Sequence, residues 1–196
     1  MIKDIIVIDD LVNSLYQSEI ENALMAEMGP AWFLLDDVAY PGQAVKHRQP
    51  GIVHPMFEEN NGIMSPLYHL AVPLVYEAVS RINFNFNKII RGRSFIQFPT
   101  ATTHTNHAHI DTNDPHLVVL YYVNDADGET VIYNQTADDI PNLPGFDNTL
   151  LTVSQQVMPR RGRVVMFDGR RYHSSSTPTT NRRCIINFDV SGSKNV

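Results

Sequence analysis

Apolar and polar residues alternate along this chain in two rhythms, and the rhythm changes near residue 94. An opening run, "IIVID", reads as a strand. "LVNSLYQSEIENALMAEM" then spaces Leu15, Ile20, Leu24 and Met25 at helical intervals, and Gly29-Pro30 marks its end. "SPLYHLAVPLVYEAVSRI" predicts a second helix, with Ser65 suited to the N-cap, Pro66 to the first turn, and Pro73 placed to kink it. Between the helices, residues 36–64 are rich in Pro, Gly and polar groups and predict long loops of the kind that carry substrate specificity.

From residue 94 the period shortens. "SFIQF", "HAHID", "LVVLYYV", "ETVIY", "LLTVSQQVM", "RVVMF", "YHSSS" and "RCIINFDV" form a series of strand-like runs. Turn signals separate them at Pro99, Asn113-Asp114-Pro115, Asp127-Gly128, Pro141 to Gly145, Arg161-Gly162, Asp168-Gly169 and Pro178. Such a series predicts a barrel or sandwich. With two helices ahead of it, the expected class is α+β in a single domain over residues 1–196. Residues 1–93 supply a strand, helices and loops, and residues 94–190 the β core.

Composition narrows the setting. A chain of 196 residues with 43% hydrophobic content builds an ordinary core. No apolar run is long enough for a membrane helix, and the start is broken by Lys3, Asp4, Asp9 and Asp10, unlike the apolar centre of a signal peptide. The single cysteine, Cys184, leaves no internal disulfide and no cysteine-rich zinc site. A cytoplasmic protein with no membrane partner is the expectation. The net charge of −6 does not favour nucleic acid. Arginines nevertheless crowd the last third, at 160, 161, 163, 170, 171, 182 and 183. They are either solvated strand-edge charge or a place for an anionic substrate or cosubstrate.

The candidate chemistry begins at "HAHID". In a strand, His107, His109 and Asp111 would share one face. The plain account is a polar, solvent-facing strand, and the sharper one is a metal corner. His109 and Asp111 would give two ligands, with a third from His173 in "DGRRYHSSSTP"; His107 with His109 is an alternative pair. Two imidazoles and one carboxylate form the facial triad that holds non-heme iron with positions left open. The other histidines, at 47, 54, 69, 104 and 116, suit loop or packing roles. Ten residues after His173, Arg183 opens the strand "RCIINFDV", where a guanidinium suits the distal carboxylate of a chelating 2-oxo acid.

Together, "HID", "LVVLYYVND", "DGETVIYN", "MPRRGRVVMFDGRRYHSSSTP" and "RRCIINF" resemble the Fe(II)- and 2-oxoglutarate-dependent oxygenases, and most of all their prolyl 4-hydroxylase-like branch, over residues 95 to 190. The resemblance implies a double-stranded β-helix, or jelly-roll, core with N-terminal helices packed on the major sheet. It implies Fe(II) held by His109, Asp111 and His173, with 2-oxoglutarate as cosubstrate on Arg183 and beside Tyr122, and O2 as oxidant. It implies hydroxylation of a C–H bond with succinate and CO2 as coproducts. Relatives often carry a tyrosine where this chain has Phe98 before Pro99, which leaves one hydrogen bond to the cosubstrate unmade. Arg182 and Arg183 must face opposite ways, and Arg183 is preferred because Ile185 and Asn187 then share its face, with Asn187 also lining the site. Cys184, Ile186 and Phe188 would pack behind.

The pocket rim is expected from residues 36–64, 100–106 and 135–150, with "NQTADDIPNLPGFDN" as a possible lid. The substrate is not legible; the branch resemblance leans towards a peptide or amino-acid side chain, with a metabolite as a further option. Two competing readings remain: a cupin-like metal-binding protein that does not use 2-oxoglutarate, and a binding module on the same scaffold that has lost turnover.

Overall fold

The computed structural model describes residues 2–43, 48–140 and 147–194. In chain order the elements are β1 (Ile6–Ile8), α1 (Ser14–Met25), β2 (Phe33–Leu35), β3 (Gly51–Glu58), β4 (Gly62–Ile63), α2 (Leu67–Arg81), β5 (Phe84–Gln97), β6 (Leu117–Tyr122), β7 (Thr130–Thr136), a 3-10 turn (Asn148–Leu150), β8 (Val153–Val157), β9 (Val164–Asp168), β10 (Arg171–Ser175) and β11 (Arg183–Lys194).

Each helix is set by a local device. Asn13 Oδ1 takes the Tyr16 N–H at 3.0 Å and starts α1. The helix buries Gln17, Ile20 and Leu24, while Leu15 is 72% exposed, so Leu15 is not on the inner stripe expected for it. Ser65, just ahead of α2, takes the Leu67 N–H at 3.2 Å and is itself held by His54 Nε2 at 2.8 Å. That contact gives His54 the structural role expected of it. The second helix runs through Pro73 and buries Ala71, Val72, Leu74, Val75, Ala78 and Val79.

An eight-stranded sheet runs β1-β9-β6-β11-β5-β3-β2, with β4 paired to β3, and a three-stranded sheet runs β10-β7-β8. Strand alternation sorts the core. In β6, Leu117, Val119 and Tyr121 join the cluster beneath the helices, while Val118, Leu120 and Tyr122 join Ile132 and Val157 of the smaller sheet. In β9, Val164 and Met166 go one way and Val165 and Phe167 the other. The helices therefore cover the outer face of the larger sheet, and its inner face closes on the smaller one. This is the expected α+β, double-stranded β-helix arrangement.

Two expectations need correction. Residues 36–64 are not all loop, because β3 runs from 51 to 58 inside the larger sheet, paired to both β2 and β5. Pro55 and Gly51 read as breakers, but the ladder shifts register between Pro55 and Phe57 and so accommodates the missing N–H. The second correction concerns β5, which begins at Phe84, ten residues before the change of rhythm read from the sequence. His47 and the stretch 141–146 lie outside the described residues, so those expectations are not judged. Among the described residues, no helix is long and apolar enough to cross a membrane.

Candidate metal centre

The segment "HAHID" is not a regular strand. Residues 105–109 run beside β10 and the residue after it through two isolated bridges, Thr105 to Ser176 and His109 to His173. Four steps from 105 to 109 face three from 176 to 173, so one extra residue breaks the alternation. This explains why His107 does not join the row expected for it. Its ring lies 6.4 Å from that of Tyr40, outside the histidine–aspartate cluster. His109 is fixed by reciprocal backbone bonds with His173, each 3.0 Å. Asn148, on the 3-10 turn, clamps the same segment: its Oδ1 accepts from Ala108 N at 2.8 Å and its Nδ2 donates to Asn106 O at 2.7 Å.

His109, Asp111 and His173 offer ligand atoms that all lie within 4.8 Å of one another. The imidazole centroids are 4.6 Å apart. In both rings Nδ1 faces the carbonyl two residues back, at 3.4 Å for His109 and 3.2 Å for His173. A proton on Nδ1 leaves the Nε2 lone pair for a ligand. Burial and the neighbouring His173 push His109 down to about 4, so its imidazole is neutral at pH 7. Burial opposes the charge on Asp111, but His173 and Arg91 hold its carboxyl well below the usual range. Despite burial, Asp111 in turn raises His173, and a metal ion would displace the proton that the two share. Two imidazoles and an ionised carboxylate match the donor chemistry of ferrous iron, and the residues present fit that ion.

These three residues stand on the wall of a cavity of about 270 Å³. At its other end lies Arg183, which is only 3% exposed. Its Nε donates to Gly128 O at 2.7 Å, Nη1 to Gln97 Oε1 at 3.1 Å and Nη2 to Thr130 Oγ1 at 2.7 Å. Its guanidinium carbon lies 5.7 Å from the centre of the Tyr122 ring. No carboxylate among the described residues is within ion-pair distance of it. Arg182 is exposed, so only Arg183 lines the cavity, and Ile185 and Asn187 line it on the same face. Cys184, Ile186 and Phe188 pack beneath the helices, as the register demands.

Tyr122, expected beside the cosubstrate, stands behind Arg183. It is buried beneath Arg183 and is not part of the cavity lining; its hydroxyl bonds Thr130 Oγ1 at 2.7 Å and Val157 O at 3.2 Å. The rim takes Val38, Ala39, Pro41 and Val53 from the stretch 36–64 and Asn106 from 100–106. None of the described residues of 135–150 lines it.

Four site residues escaped sequence reasoning. Gln97 and Thr130 bind Arg183, as above. Arg91 pairs with Asp111 at 2.5 Å and with Asp189 at 2.6 Å. Burial and the Asp111 charge push Asp189 up to about 6. For Arg91 and Gln97 the pattern of β5 carries a trace, visible once the strand is known. Arg91, Arg93, Phe95 and Gln97 alternate along one strand and all line the cavity. Gly92 between the arginines leaves room for the Phe188 ring on the other face.

Two facing sheets, with helices on the larger one and a cavity between strands, define the fold class as a double-stranded β-helix. No family model and no curated protein matches the chain. Solved structures do, at low identity. One is a prolyl hydroxylase from Trichoplax adhaerens in complex with a hypoxia inducible factor oxygen degradation domain peptide fragment (TM-score 0.64, 15% identity, 95% of this chain and 82% of that one). Another is an oxidoreductase of the 2OG-Fe(II) oxygenase family from Burkholderia pseudomallei (TM-score 0.63, 14% identity, 97% and 87%). A third is HygX from Streptomyces hygroscopicus with nickel, 2-oxoglutarate and hygromycin B bound (TM-score 0.60, 14% identity, 95% and 82%).

Proposed function

We propose that this protein is an Fe(II)- and 2-oxoglutarate-dependent dioxygenase that hydroxylates a peptidyl or amino-acid side chain, with succinate and CO2 as coproducts. The observation that carries the reading is the pairing of two features in one cavity. Three metal-type ligands converge on the cavity wall, and the same cavity is lined by the buried Arg183, which has no carboxylate within ion-pair distance among the described residues. A dicarboxylic acid that chelates a metal through one end needs a cation for its other end.

His109, Asp111 and His173 would hold the iron, which supplies the activation of O2 when bound. Arg183 would bind the distal carboxylate of 2-oxoglutarate, with Gln97 and Thr130 fixing the guanidinium plane. Tyr122 supports that arginine from below. Asn187 donates to Asp111 Oδ2 at 3.3 Å and lines the cavity at the metal end, where it would meet the chelating end of the cosubstrate. The apolar rim of Leu35, Val38, Ala39, Pro41 and Val53 suits an aliphatic C–H donor and keeps bulk water from the reacting carbon.

A cupin-like metal protein that ignores 2-oxoglutarate has no use for a buried, unpaired Arg183, so that alternative is disfavoured. The test is an anaerobic titration with Fe(II) and 2-oxoglutarate followed by visible absorbance. A metal-to-ligand charge-transfer band is expected for wild type. Its absence there, or its persistence in both His173→Ala and Arg183→Ala, would end this reading.

A further inference from the structure

The metal wall contains a partly buried ion set that the proposed reaction does not itself require. Arg91 on β5 and Asp189 on β11 are partners in the ladder. Arg91 Nη2 lies 2.5 Å from Asp111 Oδ1 and 2.6 Å from Asp189 Oδ2. The other Asp111 oxygen, Oδ2, is 3.5 Å from His173 Nε2. The two oxygens of Asp111 thus have separate tasks. A carboxylate that turns freely offers a metal either oxygen or both; one tied through Oδ1 to a guanidinium offers only Oδ2.

Charge points the same way. If Arg91 faced Asp111 alone, its positive charge would cancel the single negative charge of the ligand set. Asp189, 1% exposed, returns a negative charge at the same guanidinium. Little solvent reaches these groups, so their charges are poorly screened. Asp111, His116 and Asp189 also lie within metal-binding reach of one another. Arg91, however, already places a cation between Asp111 and Asp189, so a second metal ion does not fit there.

We infer that Arg91 and Asp189 form a positioning pair: Arg91 fixes Asp111 as a one-oxygen ligand, and Asp189 keeps the negative charge of Asp111 available to the metal. The inference rests on His109, Asp111 and His173 being the ligands.

The test is Mn(II) binding, read by the electron paramagnetic resonance of free Mn(II), on wild type and on Asp189→Asn, Arg91→Gln/Asp189→Asn and His173→Ala. Thermal melting of each variant checks that it is folded. Asp189→Asn should weaken Mn(II) binding by about ten- to a hundredfold, in the range of outer-sphere changes at other metal sites. The double variant leaves Asp111 as the one charge and so restores the single net negative charge of the wild-type set; it should recover most of the lost affinity, a rescue that a merely structural role does not produce. Wild-type affinity in Asp189→Asn, or a double variant no tighter than Asp189→Asn, overturns the pair while the ligand assignment stands. If wild type binds no Mn(II), or His173→Ala binds it as tightly as wild type, the ligand assignment itself fails and the pair falls with it.

Discussion

Three arginines line the cavity, and two of them, Arg91 and Arg183, differ in one respect. Arg91 touches two carboxylates, Asp111 and Asp189. Arg183 touches a backbone carbonyl, an amide oxygen, a hydroxyl and the face of a tyrosine, all of them neutral. Burial pulls Arg183 below its ordinary value, yet an arginine stays charged. The Arg91 charge is raised and secured, because its two carboxylates outweigh the effect of burial. A buried charge that is matched within the chain builds the site. One that is unmatched among the described residues, oriented by dipoles and open to a cavity, is what the proposed anion site needs.

The sharpest way to break this contrast is to remove each side chain and measure stability. Arg91→Leu strands Asp111 and Asp189 side by side without their cation and should cost about 3–5 kcal/mol, as breaking a buried ion pair does. Arg183→Leu leaves only neutral acceptors behind and should cost less, about 1–3 kcal/mol. Urea melts of both variants in the absence of metal decide it. Equal losses would mean that Arg183 has a structural counter-charge after all. The second way measures the ligand. On the proposed reading, Arg183→Ala should weaken 2-oxoglutarate binding by about 2–5 kcal/mol, or at least about thirtyfold, because the distal carboxylate would lose the cation assigned to it. Arg183→Lys should restore little, since an ammonium cannot reproduce the planar fork that Gln97 and Thr130 hold. Recovery by lysine to near wild type would reduce Arg183 to a point charge.

How the two arginines differ in legibility follows from how each was placed. Arg183 could be read because it stands ten residues after His173 and opens an uninterrupted alternating strand, with Ile185 and Asn187 inward and Cys184, Ile186 and Phe188 outward. The fold was legible for the same reason, since β6, β9 and β11 are sorted by strict alternation. Arg91 was not read, because "FNFNKIIRGR" precedes the change of rhythm and its two arginines and glycine look like solvated charge beside a breaker. Only pairing shows that β5 lies between β3 and β11 with Arg91 facing inward. Asp189 had no local signal either, because a carboxylate near the end of a strand is ordinary surface chemistry until its partner is known. The reverse error occurred at His107, where alternation was assumed across a segment whose extra residue breaks it.

Smaller effects sharpen the contrast by separating residues that touch the ligand from residues that touch the arginine. Tyr122 lies under Arg183 rather than in the cavity. Tyr122→Phe keeps the ring beneath the guanidinium and removes a hydroxyl bonded to Thr130 and Val157. The expected cost is about 1 kcal/mol in stability, with a fewfold loss of 2-oxoglutarate affinity transmitted through Thr130. A loss as large as that of Arg183→Ala would place the phenol on the cosubstrate itself.

The smallest effect belongs to the adjacent residue. Arg182 is exposed, and its backbone carbonyl, not its side chain, takes the Asn124 amide at 2.7 Å. Arg182→Ala should therefore change stability by less than about 0.5 kcal/mol and leave 2-oxoglutarate binding within about twofold of wild type. Two neighbouring arginines, one inert and one decisive, is what strand alternation demands, since only one of an adjacent pair can face the inner side. A large effect of Arg182→Ala on cosubstrate affinity would mean that β11 is shifted by one residue against β5 and β6. That shift would also turn Asn187 away from Asp111, so the same measurement checks the register on which the whole metal wall is built.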